Sequence, residues 1–145
     1  MSKITFILGG ARSGKSRLAI KLARQASAAT AFIATSEALD KEMAKRIALH
    51  LKTRPAAWQT FEEPREIIHL LKTIGHKFDI IIIDCLTLLV SNLLLAGSKD
   101  NEIERQIKQI FSILKKIKGK AIIVSNEVGL GIVPQNPMGR KFRDI

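Results

Sequence analysis

The sequence predicts an α/β fold of the P-loop NTPase type, a mainly parallel sheet with helices on both faces. Three observations lead there. Short apolar, β-rich runs alternate along the chain with segments of helical period, the pattern of βαβ units with right-handed crossovers. One run, Ile80-Ile81-Ile82-Ile83, is continuous and β-branched, as a strand buried on both faces should be. Finally, Gly9-Gly10-Ala11-Arg12-Ser13-Gly14-Lys15-Ser16 matches G-x-x-x-x-G-K-[ST] in full, between a strand pattern and a helix pattern.

In chain order, Ile4-Thr5-Phe6-Ile7-Leu8 is the first strand, closed by Gly9-Gly10. From Ser16 the period becomes helical, with Leu18, Ala19, Leu22, Ala23 and Ala26 on one face. Ala31–Thr35 is a second apolar run. Asp40 is the candidate N-cap of a helix from Lys41 to about Leu51, ended by Arg54-Pro55. Pro64 suits the first turn of a helix reaching Gly75, with Ile67, Ile68, Leu70, Leu71 and Ile74 apolar. After the isoleucine strand come helical patterns at about Thr87–Ala96 and Glu102–Ile117, then a strand at Ala121–Ser125. No repeat or linker interrupts the pattern, and residues 1–145 are expected to form one domain.

Composition bounds the function. A chain of 145 residues with 46% hydrophobic and 26% charged residues is long enough to bury a core and has a globular balance. A single cysteine, Cys85, excludes a disulfide framework and a cysteine-based zinc site, and suits a reducing cytoplasm. The longest uncharged stretch, Cys85–Ser98, is too short to span a bilayer, and no apolar signal core is seen at the N-terminus. No membrane partner is expected. The 24 Lys and Arg against 13 Asp and Glu leave a net charge of +11, which favours anionic partners. Lys3, Arg12, Lys15, Arg17, Lys21 and Arg24 crowd the start. Lys115, Lys116, Lys118 and Lys120 form a second cluster, read as a solvated helix end, and Arg140, Lys141 and Arg143 a third. Only 5% of residues are aromatic and none is Tyr, which argues against a stacking platform for nucleic acid.

The glycine loop carries the clearest chemistry. Its glycines let backbone N–H groups curl around phosphate oxygens, and the following helix N-terminus adds positive potential. Lys15 should reach the β- and γ-phosphates, and the Ser16 hydroxyl should ligand Mg²⁺. A carboxylate ending a nearby strand completes such a site, and Asp84 follows the isoleucine run; a helix N-cap role is its plain alternative. No Asn-Lys-x-Asp guanine reader is present, so these motifs leave ATP and GTP both open as substrates.

A resemblance covers nearly the whole chain. Gly9–Ser16, Ile33-Ala34-Thr35-Ser36, Glu42-Met43-Ala44-x-Arg46-Ile47-x-x-His50 and Arg54-Pro55-x-x-Trp58-x-Thr60-x-Glu62 occur in order. Asp84-Cys85-Leu86-Thr87, Val90-Ser91-Asn92-Leu93-Leu94, Val124–Pro134 and Phe142-Arg143-Asp144 complete the series. This resembles the bifunctional adenosylcobinamide kinase and adenosylcobinamide-phosphate guanylyltransferase family of adenosylcobalamin synthesis. The resemblance implies two reactions. A nucleoside triphosphate phosphorylates the hydroxyl of the aminopropanol arm of adenosylcobinamide. GTP then gives GMP to an enzyme histidine, and the GMP passes to the cobinamide phosphate. The matching position is His50, and the implied nucleotide contacts fall on Gly9–Ser16, Ala34–Ser36, Leu51, Lys52, Thr53, Arg54, Glu62 and Asp84. A homo-oligomer, a trimer, is implied as well.

The residue types suit those roles. A neutral imidazole offers a ring nitrogen as nucleophile for an α-phosphorus. Arg46, His50 and Arg54, spaced i, i+4 and i+8, should line one side of a helix and its end, with guanidinium groups beside the nucleophile. Glu62 can accept from guanine N–H groups or ribose hydroxyls, or with Glu63 stabilise a helix start. Asn126 and Glu127 follow a strand, at the edge where ligands of α/β sheets gather, and are assigned to substrate or nucleotide positioning. His69 and His76 are expected at the surface, Trp58 and Cys85 as packing residues. The family pattern continues past Asp144 into a further helix and strand, so the expected domain lacks them. Two other readings remain: a nucleotide-binding remnant without activity, and a basic P-loop ATPase acting on nucleic acid.

Overall fold

A computed structural model describes residues 3–10, 13–26, 28–37, 41–52 and 54–126, without the side chain of His50. The order of elements is β1 (Ile4–Gly9), α1 (Lys15–Gln25), β2 (Thr30–Ala34), α2 (Lys41–Lys52), β3 (Gln59–Glu62), α3 (Ile67–Ile74), β4 (Ile80–Asp84), α4 (Leu86–Leu95), α5 (Asp100–Lys116) and β5 (Lys120–Asn126). The five strands form one sheet in the order β1-β5-β4-β2-β3, and every pairing is parallel.

Alternation along each strand divides the core in two. Ile81, Ile83, Ala31, Ile33, Ala121 and Ile123 face α3, α4 and α5. Ile80, Ile82, Phe32, Ala34, Ile122 and Val124 face α1, which buries Ala19, Ile20 and Ala23. Ile80 to Ile83 are at most 2% exposed, and each such side chain contributes ~1.5–3 kcal/mol by leaving water. Helix α5 spaces Ile103, Ile107, Ile110 and Leu114 along its buried stripe. Among the described strands β1 lies at a sheet edge, where Phe6 stacks on Phe111 with ring centroids 6.2 Å apart.

The structure differs from the sequence reading at two places. Strand β3 was not expected: it has four residues, and its terminal Gln59 and Glu62 are exposed, so it presents no apolar run. Helix α3 begins at Ile67, three residues after Pro64. The Glu63 carboxylate accepts from the amides of Arg65 at 3.2 Å and Glu66 at 3.0 Å, holding Pro64–Glu66 as a turn ahead of the helix. Other boundaries shift by a residue or two. Asp40 and the cluster at Arg140 lie outside the described residues, while Lys115, Lys116, Lys118 and Lys120 are exposed.

Because all strands run the same way, Gly9, Ala34, Glu62, Asp84 and Asn126 end at one edge. Register sets Gly9 opposite Asn126, and Ala34 opposite both Asp84 and Glu62. Ligands of parallel α/β sheets bind outside this carboxyl edge.

Candidate active site

Helix α1 starts from Gly14, whose φ of +86° lies in the left-handed region that favours glycine. The helical ladder opens with the Leu18 amide bonded to Gly14 O at 3.0 Å, so the amides of Lys15, Ser16 and Arg17 precede it. These donors and the helix dipole make an anion cradle. Lys15 Nζ donates to Gly10 O at 2.7 Å, which draws the ammonium back over the loop. A Cβ on Gly9 would sit 2.6 Å from Ser13 Oγ and 3.2 Å from Lys15 Cγ. Gly9→Ala should therefore displace the lysine side chain while leaving the sheet intact. We expect nucleotide affinity to fall by ~10-fold or more with little change in melting temperature, checked by equilibrium binding and thermal unfolding.

Ser16 Oγ donates to Asp84 Oδ2 at 2.6 Å, although β5 lies between the strands that lead to these two residues. The peptide bond between Asp84 and Cys85 is cis. Helix α4 ties the neighbouring strand ends together. Thr87 Oγ1 accepts from the Asn126 amide at 2.9 Å and lies 2.9 Å from Ser125 Oγ, bracing β5. Cys85 caps α4, its sulfur accepting from the Leu88 amide at 3.4 Å. Burial pushes the Cys85 thiol up from its ordinary value, so this sulfur is a cap and packing group, not a ready thiolate.

A cavity of about 360 Å³ opens beside the Ser16–Asp84 pair. It is lined by Lys15, Arg46, Arg54 and Asn126 and, on its apolar side, by Phe32, Met43, Ile47 and Leu88. Arg54 does not continue the line of α2, which ends at Lys52. Its guanidinium instead stacks 3.8 Å above the Phe32 ring, and Nη1 donates to Thr60 Oγ1 at 3.4 Å. Burial lowers the Arg54 pKa, and the nearby Asp84 and Glu62 carboxylates oppose that shift. Its Nε is buried without a hydrogen-bond partner among the described residues. Arg46 is exposed and pairs with Glu42 at 3.4 Å, one turn back on α2.

Of the expected nucleotide contacts, Lys15, Ser16, Ala34, Ser36, Arg54 and Asp84 meet at this cavity. Gly9, Gly10, Ser13 and Gly14 form the adjoining loop. Thr35 stands apart: it is fully buried, and its hydroxyl is engaged by Cys85. Leu51 and Lys52 are exposed at the end of α2, and Glu62 is exposed at the end of β3. Ala11, Arg12, Thr53 and Glu127 lie outside the described residues, as does the imidazole of His50, whose backbone belongs to α2. His69 and His76 are exposed, and Trp58 packs partly buried against the α1 side of the core, as expected. Sequence reasoning missed the Phe32–Arg54 stack and the role of α4. A sequence signal existed only for Asn92, a polar residue within an apolar helix.

Fold and loop define a P-loop nucleotide-binding protein. The fold is shared with an ATPase from the type III secretion system of pathogenic bacteria, with a TM-score of 0.62 at 14% identity over 99% of this chain and 49% of that one. It is shared also with the RadB recombinase, with a TM-score of 0.58 at 16% identity over 95% of this chain and 70% of that one. Residues 5–145 match the family described as cobinamide kinase / cobinamide phosphate guanyltransferase, and the chain belongs to it. It is 43% identical to the bifunctional adenosylcobalamin biosynthesis protein CobP of Pseudomonas aeruginosa, over 95% of this chain and 79% of that protein. Identity to the bifunctional protein CobU is 41% in Salmonella typhimurium and 37% in Escherichia coli, each over 96% of this chain and 83% of the relative.

Proposed function

We propose that this chain phosphorylates adenosylcobinamide and then guanylylates the product through a histidine intermediate. In the first step the hydroxyl of the aminopropanol arm attacks the γ-phosphorus of ATP or GTP, loses its proton and releases the nucleoside diphosphate. In the second, a ring nitrogen of His50 attacks the α-phosphorus of GTP and pyrophosphate leaves. A phosphate oxygen of the cobinamide phosphate then breaks the P–N bond, giving adenosylcobinamide-GDP and free His50.

The observation that carries the proposal is one cavity bordered both by the phosphate loop with its Ser16–Asp84 pair and by α2, the helix to which His50 belongs. The loop amides and Lys15 would hold phosphates, while Arg54 and Arg46 would offset charge that develops on phosphate oxygens. Ser16 and Asp84 are hard oxygen donors at hydrogen-bond distance and suit Mg²⁺. That ion commonly takes one or two protein oxygens and completes its shell with phosphates and water. Among the described residues no group of three or more His, Cys, Asp or Glu could hold a metal ion. When bound, Mg²⁺ would neutralise phosphate charge. Ser36 and Asn126 border the same space and are assigned to positioning the nucleotide or the corrinoid arm, with Glu127.

A single domain acting as a homo-oligomer in the cytoplasm completes the reading. Among the described residues no helix is long and apolar enough to cross a membrane. Incubation with α-labelled GTP and Mg²⁺ tests the transferase step. We expect acid-labile, alkali-stable label on the protein that is lost in His50→Ala, and no label on the wild-type chain would overturn the intermediate.

A further inference from the structure

Helix α4 carries a polar residue that the chemistry above does not use. Asn92 is 8% exposed and is the polar residue among the buried positions of α4. Its Nδ2 donates to Thr35 O at 2.8 Å and to Pro64 O at 3.0 Å. Two carbonyl acceptors at that range can be met only by the amide nitrogen, which fixes the side-chain orientation. Thr35, which Asn92 holds, is itself fully buried and grips three successive backbone groups after β4. Its amide donates to Asp84 O at 3.0 Å, its hydroxyl accepts from the Cys85 amide at 2.9 Å, and the same hydroxyl donates to Cys85 O at 2.7 Å.

Both polar ends of the peptide unit following Asp84 are therefore bonded to one residue. A peptide plane held at both ends resists swinging, so the Cα–Cβ bond of Asp84 keeps its direction towards Ser16 Oγ, which lies 2.6 Å from the carboxylate. We propose that Asn92, acting through Thr35, is a positioning residue for the metal-binding carboxylate Asp84. The inference rests on reading Asp84 as the Mg²⁺ ligand. Asn92 does not line the cavity; it acts through Thr35 on the direction of the Asp84 side chain. The bond to Pro64 O ties the same device to the turn before α3, so the ends of β2, β3 and β4 share one anchor.

Groups that support a ligand from behind commonly change metal affinity by ~10–100-fold when removed, without touching the metal. The test separates this from a stability effect by measuring GTP binding twice, in EDTA and in saturating Mg²⁺, with melting temperature followed in parallel. The ratio of the two dissociation constants is the gain that Mg²⁺ provides. We expect Asn92→Ala and Thr35→Val to reduce that ratio by ~10-fold while changing binding in EDTA by less than about twofold. Thr35→Ser, which keeps the hydroxyl, should retain the wild-type ratio. If Asn92→Ala does not fold, the Thr35 pair carries the test. Variants that melt earlier but keep the wild-type ratio would reduce Asn92 to a packing role and overturn the inference, provided Asp84→Asn abolishes the ratio. If Asp84→Asn keeps it, Asp84 is not the metal ligand, and both readings fall.

Discussion

Replacing Lys15 by alanine should lower kcat/KM for phosphorylation of adenosylcobinamide by ~10²–10³, equivalent to ~2.7–4 kcal/mol of transition-state stabilisation. The ammonium is the loop's own point charge, drawn over it by the bond to Gly10 O at 2.7 Å at the start of α1. Arg54 and Arg46 border the same cavity, but one is stacked on Phe32 and the other is paired with Glu42, so neither can take its place without losing a partner. Lys15→Arg keeps the charge but replaces a compact ammonium with a planar fork that cannot occupy the same position, and it should recover only part of the loss. Steady-state kinetics with saturating nucleotide check both variants. An unchanged melting temperature is expected, because among the described residues Lys15 Nζ bonds within the loop, to Gly10 O.

Among the described glycines, Gly119→Ala should give the largest loss of stability from one methyl group. A Cβ there would meet Asp79 O at 2.3 Å, Asp79 C at 2.7 Å and Phe78 O at 2.8 Å, all backbone atoms that no rotamer change can move. The affected turn is a junction: the Lys120 amide donates to Asp79 O at 2.8 Å, the Asp79 amide donates to Ala29 O at 2.8 Å, and the Lys3 ammonium reaches Gly119 O. Shifting it disturbs the starts of β4 and β5 together. The expected cost is ~1–3 kcal/mol, a fall of roughly 5–10 °C in Tm by thermal unfolding. Nucleotide binding measured well below the transition should be retained, because the carboxyl edge of the sheet is at the opposite end of both strands.

Much of this architecture is legible in the residues because burial on both sides of a parallel sheet leaves a plain mark. Ile80–Ile83 could only be a central strand, and the glycine loop announced both its neighbours. Strand β3 left no such mark: at the sheet edge a four-residue strand needs only partial cover, so Gln59 and Glu62 look like loop. The pairing of Ser16 with Asp84 was readable from motif chemistry, since each is half of a metal site. The fold-back of Arg54 onto Phe32 was not, because residues 22 positions apart on different elements share no local pattern. Spacing had set Arg54 in line with Arg46 and His50, an extrapolation of helical period past the point where α2 stops. Asn92 shows the remaining difficulty. Its polarity was visible, yet its partners, Thr35 and Pro64, lie 57 and 28 residues away.

The place of β1 at the edge of the sheet has a consequence for how the protein comes into being. Among the described strands β1 pairs with β5 alone, and the pair Leu8 and Ser125 is separated by 125 − 8 = 117 residues. Such long-range parallel pairing forms slowly, because loop-closure entropy opposes it until late in folding. Of the described strands β1 leaves the ribosome first, and its partner there, β5, is synthesised last. The phosphate loop hangs from that strand, so nucleotide can bind only once the rest of the sheet stands. Ligand that binds the finished cradle then stabilises the pairing of the two ends of the described chain, by mass action.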